Sequence, residues 1–145
     1  MHAKVNHAKV EFDAIPGNLG FARVAAASFA AGLGFGIEEL EDIKLAVSEA
    51  VSNCIVHAYP ESGEARATVC MTMETSESGV TISVEDRGVG IADVAAARRP
   101  GMTTDSQRLG MGFTLMEALA DHLSVTSEPG MGTCVAMVFS PGRGG

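Results

Sequence analysis

Apolar residues recur at helical spacing along residues 43–57, which read IKLAVSEAVSNCIVH. Their three- and four-residue steps predict an amphipathic helix with one broad apolar face. Glu49, Asn53 and His57 stand four residues apart and are expected to stack along one edge of that face. A carboxylate and a carboxamide would then project side by side, one turn apart. Such a pair can supply a base and a metal ligand, although polar stripes of this kind more often form a solvated helix face.

Two more helices are predicted on either side of this central helix. The first follows the Pro16-Gly17-Asn18 turn and spans 19–33. Its apolar residues at helical spacing are expected to face the core; they are Phe21, Val24, Ala25, Phe29 and Leu33. The last helix is predicted over 113–120. The acidic run 38–42 is expected to lead into the central helix, because carboxylates stabilise a helix N-terminus.

Five short segments are rich in alternating apolar residues and are predicted to be strands. They span 8–12, 66–73, 80–85, 122–127 and 133–139. Clean alternation at 80–84 favours a sheet with one covered face. Residues 75–79 and 128–132 are expected to be hairpin loops. Residues 92–109 carry no regular pattern, and such a segment within a domain is expected to be a lid or a binding loop.

The composition is typical of one globular domain. The chain has 145 residues, of which 46% are apolar and only 5% aromatic, so the core is expected to consist of Ala, Val, Ile, Leu and Met. A formal net charge of −8 disfavours direct binding to nucleic acid. No apolar run approaches the roughly 18 residues of a membrane span, and no N-terminal signal segment is evident. The scattered Cys54, Cys70 and Cys134 are expected to be reduced core thiols of a cytoplasmic protein, not nucleophiles.

Two glycine-rich motifs follow the central helix. Residues 85–91 read EDRGVGI, in which Asp86 ends a strand and two glycines allow the backbone to approach a flat ligand. The Asp86 carboxylate can accept a hydrogen bond from an exocyclic amine such as the adenine N6. Gly110-Met111-Gly112 is predicted to open the last helix, whose backbone N–H groups would form an anion site suited to phosphate. Each motif is weak evidence by itself.

Taken in order, E-x-x-x-N on a helix, D-x-G-x-G-I after a strand and G-x-G before a helix resemble the GHKL (Bergerat-fold) ATP-binding domain. The segments VSEAVSNCIVHAY, VEDRGVGI, ARRPGMTTD, RLGMGFTLMEALAD and SEPGMGT are similar to the anti-sigma factor serine/threonine-protein kinases of the SpoIIAB and RsbW type. The resemblance covers roughly residues 8–139 and departs in a shorter lid and a glycine-rich tail at 140–145. It implies a single domain over 1–145 with an α/β fold, a two-layer sandwich in which a mixed, mostly antiparallel sheet carries helices on one face.

The resemblance also implies roles for individual residues. Glu49 resembles the general base, and Asn53 resembles the ligand of Mg²⁺. Asp86 resembles the carboxylate that reads adenine, and Arg108 the lid arginine that reaches the γ-phosphate. The implied ATP-binding residues are Asn53, Asp86, Gly88, Gly90, Thr104, Arg108, Gly110, Met111, Gly112 and Thr133. Arg23 resembles a surface arginine that contacts both protein partners, whereas by itself it is an ordinary solvated charge.

The function implied by the resemblance is that of a cytoplasmic, homodimeric anti-sigma factor. It would sequester a sigma factor and use ATP and Mg²⁺ to phosphorylate the anti-anti-sigma antagonist on serine, without direct contact to nucleic acid or membrane. The alternative is a non-catalytic, ATP-dependent module that binds the sigma factor; Glu49 favours the kinase, because nucleotide binding alone needs no base. A histidine kinase is disfavoured, since the chain holds no helical hairpin with a phospho-accepting histidine, and His57 is expected to orient Glu49 or to pack. The identity of the sigma factor, and of a sporulation or stress regulon, stays open.

Overall fold

Antiparallel strands form one sheet in the described part of the chain. The computed structural model describes residues 5–58, 67–88 and 104–142. Its strands are β1 (His7–Asp13), β2 (Thr68–Ser76), β3 (Gly79–Asp86), β4 (His122–Glu128) and β5 (Gly132–Phe139). They are ordered β1-β2-β3-β5-β4, and all four neighbouring pairs are antiparallel. The sheet expected to be mixed is therefore antiparallel throughout these strands.

Alternation of side chains gives the sheet one buried face. On β3, Val80, Ile82 and Val84 are buried, whereas Thr81 and Ser83 lie on the opposite, partly exposed face. The strands on either side continue the same apolar layer; its buried members are Val69, Met71, Met73, Val135, Met137 and Phe139. This period of two is the pattern from which the strands were predicted, and their existence is confirmed.

Helices cover the buried face. They are α1 (Leu19–Ala30), α2 (Ile37–Asn53) and α3 (Thr104–Leu119). The middle helix, α2, packs against both of the others. It begins at Ile37 because the Glu39 carboxylate accepts a hydrogen bond of 2.8 Å from the Gly36 N–H, and its first-turn carboxylates complement the helix dipole. The predicted α/β sandwich is confirmed, and none of the helices described is long and apolar enough to cross a lipid bilayer.

The core-facing side of α1 differs from the predicted one. Its fully buried residues are the alanines Ala22, Ala26 and Ala30. Phe21 and Val24, which were expected in the core, are 51% and 65% exposed. Small side chains allow the α1 backbone to approach α2 closely, and the larger residues are turned outward as a consequence. The apolar stripe was therefore predicted correctly only for its partly buried members, Ala25, Phe29 and Leu33.

The β2–β3 hairpin is tighter than the sequence predicts. A loop was expected at 75–79, but β2 extends to Ser76 and β3 begins at Gly79, which leaves only two residues between them. Gly79 has a φ of +146°, and a Cβ there would overlap the carbonyl oxygen of Phe139 on β5. Glycine is required at this position because the neighbouring strand approaches so closely.

The central helix ends in an unusually wide turn. The α-helical geometry of α2 stops at Asn53, and a π-helical turn follows at Cys54–Ala58. Hydrogen bonds in such a turn span five residues instead of four, so a four-residue step from Asn53 no longer continues the same stripe. The predicted stack is confirmed for Glu49 and Asn53, and the side chain of His57 lies outside the described part of the chain.

Candidate functional site

Glu49 and Asn53 meet the glycine-rich motif of α3 at one point. Both side chains project from the last turns of α2 toward Gly112, which is buried on α3. A Cβ built on Gly112 would lie 3.3 Å from the Glu49 carboxylate Oε2, and 3.3 Å from each terminal atom of the Asn53 amide. The structure thus brings together three residues that the sequence assigned to the site from two separate motifs.

The Asn53 amide has an unsatisfied group. Its Nδ2 atom is buried and has no hydrogen-bond partner within the described ranges. A buried donor without a partner costs about 1–3 kcal/mol, and natural folds retain such groups where a ligand or water completes them. The oxygen and nitrogen of an amide can exchange places by a half-turn, so the same group can offer an oxygen to a cation or an N–H to an anion.

A second cluster forms around Asp86 at the end of β3. The Asp86 side chain is 6% exposed, and its Oδ1 accepts hydrogen bonds from the Gly88 N–H at 2.9 Å and the Thr133 N–H at 3.3 Å. Burial raises the pKa of the Asp86 carboxyl, and the Gly88 N–H, the Cys54 thiol and the Thr133 N–H each oppose that rise. The result is a buried acceptor of fixed orientation, which is suited to one more donor such as an amino group on a base.

Thr133 is held in place from the neighbouring strand. Its Oγ1 lies 2.8 Å from the Ser127 Oγ, and the Ser127 hydroxyl donates to the Gly132 carbonyl at 2.9 Å. Because the single Ser127 proton is used on Gly132, the Thr133 hydroxyl is the donor in the contact between the two side chains. Gly132 has a φ of +99°, and a Cβ there would overlap the Asp86 carbonyl oxygen, so glycine allows β5 to approach the site.

Cys54 connects the two clusters. It follows Asn53 directly and is 4% exposed. Burial first, and then the nearby Asp86 charge, raise the pKa of this thiol, so it stays protonated and is able to donate. The sequence predicts only a core position for Cys54, and the low exposure of the residue confirms it. Periodicity identifies a buried position, and no pattern in the sequence signals that a carboxylate from a distant strand lies opposite.

The remaining predicted residues are described to different extents. Gly88 is in place beside Asp86, and Arg23 is exposed on α1. Gly90 lies outside the described residues. Thr104, Arg108, Gly110 and Met111 lie along α3, and their side-chain surroundings are outside the described part.

The position of the Gly110-Met111-Gly112 motif corrects a prediction. This motif was expected to open the last helix, and 92–109 to be irregular. Instead α3 begins at Thr104, so the helix already includes Thr104 and Arg108, and the motif lies well inside it. Only the first four N–H groups of a helix lack intrahelical partners. In this conformation the glycines therefore do not supply the free N–H groups that the phosphate argument required, and what they supply is close access to Glu49 and Asn53.

The donor set fits a nucleotide better than a cation bound by protein alone. Across the described residues no three His, Cys, Asp or Glu side chains are grouped as metal ligands. Mg²⁺ accepts one or two protein oxygens when phosphates and waters fill its other positions. Asn53 can supply one such oxygen, while the buried Asp86 carboxylate offers an acceptor to a base. These residues are compatible with a magnesium-bound nucleotide.

Residues 12–139 match the histidine kinase-like ATPase domain family. The chain belongs to this family. Three similar proteins are named anti-sigma F factor, from Pasteuria penetrans, Bacillus subtilis and Clostridium acetobutylicum; they are 46%, 42% and 44% identical over 93%, 91% and 91% of this chain. The matched region spans 91%, 90% and 92% of those proteins. Membership of an ATPase-domain family implies that ATP is bound.

Solved structures agree on the fold. The RsbU and RsbW domains of a Mycobacterium tuberculosis protein superpose with a TM-score of 0.66 at 20% identity, over 93% of this chain and 32% of that one. A blue-light activated histidine kinase from Erythrobacter litoralis gives 0.57 at 22% identity, over 83% and 40%. At these identities the similarity establishes the histidine kinase-like ATPase fold alone.

Proposed function

We propose that this ATPase-domain protein is an anti-sigma factor and a protein serine kinase, which holds a sigma factor inactive and phosphorylates the sigma factor's antagonist. The observation that carries the kinase half is the placement of the Glu49 carboxylate beside the Asn53 amide, opposite Gly112. A site that only bound ATP would not need a carboxylate at that point. The anti-sigma half is supported by the relatives, which are named anti-sigma F factor and match nearly the whole chain.

In this proposal the base and the phosphates of ATP are held at opposite ends of the site. Asp86 accepts a hydrogen bond from the adenine amino group, and Gly88 and Thr133 keep its carboxylate in position. Asn53 supplies an oxygen toward Mg²⁺, whose charge when bound offsets the negative charge of the phosphates. Gly90, Thr104, Arg108, Gly110, Met111 and Gly112 complete the nucleotide-binding set by family resemblance.

Glu49 is the proposed general base. As the serine oxygen of the antagonist bonds to the γ-phosphorus, Glu49 takes the hydroxyl proton, and ADP leaves as the bond to its oxygen breaks. Phosphoryl transfer depends mainly on in-line positioning and charge stabilisation, so a base adds a limited factor of about 10²–10⁴. Because Glu49 is one helical turn from Asn53, the proton acceptor and the metal ligand are aligned by the same rigid element.

The catalytic proposal is tested with labelled ATP, Mg²⁺ and the cognate antagonist protein. Glu49→Ala is expected to slow serine phosphorylation by about 10²–10⁴-fold and to keep ATP binding. Glu41→Ala is the matched control, because Glu41 lies two turns earlier on α2, is exposed, and forms an ion pair with Lys44 at the surface. If wild type binds ATP but transfers phosphate to no antagonist, the protein is a nucleotide-dependent binding module and the kinase proposal is wrong.

The proposed protein-binding surface includes Arg23. This residue is exposed on α1 and directly precedes the exposed Val24. Arg side chains are enriched in protein–protein interfaces. We expect Arg23→Glu to weaken binding of the sigma factor and the antagonist while ATP affinity is retained. Unchanged binding of both would remove Arg23 from the interface, and sedimentation of the free protein tests the expected homodimer.

A further inference from the structure

We propose that Leu45 on α2 is a docking residue for the protein substrate, where it receives an apolar side chain that lies two positions from the phosphorylated serine. This rests on the proposed kinase function, because it concerns the protein whose serine hydroxyl reaches Glu49. The contact determines which serine is presented to Glu49, and it is separate from the residues assigned to ATP.

Leu45 lies on the side of α2 that faces away from the core. The helix turns about 100° per residue, and this places Leu45 nearly opposite the mean direction of its buried residues, which are Ile43, Ala46, Val47, Ala50 and Val51. Leu45 is accordingly 44% exposed. We call the surface made by Leu45, Glu49, Ser52 and Val56 the outward face of α2, because these residues follow one another at three- and four-residue steps along that side.

A single exposed leucine is common on protein surfaces, and what distinguishes Leu45 is its distance from the proposed base. Leu45 precedes Glu49 by four residues, so their side chains are neighbours on the helix surface and lie about 6 Å apart along its axis. The Glu49 carboxylate is half-buried where α2 meets Gly112. It therefore lies at the boundary between the nucleotide site and the outward face.

The antagonist is the protein that has to cover this face. Its serine hydroxyl must come within about 3 Å of the Glu49 carboxylate, which takes the proton. The opposite side of α2 is buried, so a protein substrate reaches this carboxylate from the outward face and meets Leu45 as the next side chain along the helix. A sigma factor or a second copy of this chain brings no reacting group to Glu49 and has no such requirement.

The spacing of the two residues selects the substrate position that contacts Leu45. An extended segment advances about 3.3 Å per residue, and alternate side chains point to the same side. The side chain two positions from the serine therefore points toward α2 together with the serine, and it lies about 6.6 Å away, close to the 6 Å step between Glu49 and Leu45. The direction in which the segment crosses α2 decides whether this residue precedes or follows the serine.

An apolar residue fits that position best. Leu45 offers only carbon atoms, so an apolar partner removes apolar surface of both side chains from water, whereas a polar partner would lose its hydration without a hydrogen bond. Apolar surface also continues on the other side of the carboxylate, where Val56 in the π-helical turn is 43% exposed. The proposed base thus has exposed apolar side chains of the outward face on both sides along the helix.

The experiment measures phosphate transfer from labelled Mg-ATP to the cognate antagonist protein over a range of antagonist concentrations. Leu45→Ala and Leu45→Gln remove the apolar contact, and we expect the KM for the antagonist to rise about fivefold to twentyfold. The kcat and the calorimetric Kd for ATP are expected to stay unchanged, as for a contact made equally in the ground state and the transition state. Leu45→Met keeps apolar volume and is expected to retain the wild-type KM.

Ile37→Gln is the matched control. Ile37 is 81% exposed on the same helix and lies eight residues before Leu45, about 12 Å farther from Glu49 along the axis. The same loss of an exposed apolar side chain is expected to leave the KM unchanged there. Because both residues are exposed, equal melting temperatures should show that the variants are folded.

A change on the substrate tests the contact directly. Mass spectrometry locates the phosphorylated serine, and the residues two positions before and two positions after it are changed to alanine one at a time. One of these changes is expected to raise the KM with wild type and to add little with Leu45→Gln, since both changes remove the same contact.

An unchanged KM in Leu45→Gln would show that this inference is wrong while the kinase function stands. A loss of sigma-factor binding or a change in sedimentation, without a change in KM, would assign the outward face to the sigma factor or to a second copy and would equally contradict it. If wild type phosphorylates no antagonist, the kinase proposal fails and this inference fails with it. The absence of any transfer distinguishes that outcome from the first.

Discussion

The amide of Asn53 and the backbone of Gly112 approach each other so closely that there is little room for a methyl group between them. The 3.3 Å distances from a Cβ at position 112 to both terminal amide atoms are tighter than most contacts of real side chains. α2 and α3 can therefore approach each other this closely at the site because residue 112 has no side chain. The size of the residue at position 112 decides where the Asn53 amide can point.

Gly112→Ala is expected to weaken nucleotide binding without lowering the stability of the fold. Alanine has a higher helix propensity than glycine by about 1 kcal/mol, so the free energy of unfolding should not fall. The new methyl group would push the Asn53 and Glu49 side chains away, and we expect at least tenfold weaker binding of Mg-ATP. Calorimetric titration and thermal denaturation measure the two effects separately.

Gly20→Ala provides the control for that variant. Gly20 lies in α1, and a Cβ there meets nothing within 4 Å. The same gain in helix propensity is expected without any loss of nucleotide affinity. Equal nucleotide affinity in wild type and Gly112→Ala would show that the crowding at position 112 has no functional meaning.

Asn53→Ala is expected to change the stability of the fold only slightly, although the amide nitrogen that it removes is buried. Within the part of the chain that the structure describes, the amide N–H has no partner, so its removal relieves a desolvation cost of about 1–3 kcal/mol that offsets the lost packing. We therefore expect the free energy of unfolding without nucleotide to change by less than about 1 kcal/mol. The rise in melting temperature that Mg-ATP causes in wild type should disappear. A loss of several kcal/mol without ligand would mean that the amide is satisfied, by water for example, and is structural.

Asp86→Asn is expected to show an effect that depends on pH. Burial raises the folded-state pKa of Asp86 above its unfolded value, so the folded protein binds the proton more tightly than the unfolded chain. The ionised carboxylate therefore costs stability at pH values above the folded pKa, and that cost vanishes as the pH falls below it. We expect the asparagine variant to be more stable than wild type at neutral pH, with a difference that shrinks as the solution is acidified.

Urea denaturation of both proteins between pH 4 and pH 8 measures this difference. ATP binding should be lost in the variant at every pH, because the amide nitrogen of asparagine is a donor and cannot accept a hydrogen bond from the adenine amino group while the amide oxygen accepts from the Gly88 and Thr133 N–H groups. A stability difference that grows on acidification would contradict the assigned direction of the Asp86 pKa.

Gly132→Ala is expected to destabilise the fold for two reasons. A second variant, Gly130→Ala, separates the contributions of the two. Gly132 has a positive φ, and a Cβ there would overlap the Asp86 carbonyl, whereas Gly130 also has a positive φ but has open space around it. A left-handed conformation alone costs a non-glycine residue about 1–2 kcal/mol. Gly130→Ala should lower the free energy of unfolding by about that amount. Gly132→Ala should lower it further and should also weaken ATP binding. Chemical denaturation of both variants gives the comparison, and equal losses would mean that the chain relieves the overlap by a small shift.

Much of the fold follows from local pattern. Alternation at residues 80–84 identifies a strand with one buried face, and three- and four-residue steps identify the helix that carries Glu49 and Asn53. Both patterns work because burial on one side imposes the periodicity of the element itself. The order of three short motifs also pointed to the correct family, since those spacings depend on the whole site.

The errors arise where tertiary contacts override local preference. Phe21 and Val24 have the right spacing for a core stripe, but alanines allow α1 to pack closer to α2, and the large residues are exposed. Glycines normally begin or end helices, yet Gly112 lies within α3, where neighbouring side chains need the space. Burial and the charge of Asp86 on β3 raise the pKa of the Cys54 thiol, and no local pattern predicts this proximity.

The wide turn at Cys54–Ala58 makes the number of residues at the end of the central helix as important as their identity. A π-helical turn holds one more residue than an α-helical one, and a single residue corresponds to a rotation of about 100° about the helix axis. Deleting one position there would bring back ordinary helical winding and turn the chain that leaves the site to a new direction. Homologous chains that share every polar group of the site but differ by one residue in this segment should therefore not be assumed to hold the base in the same way.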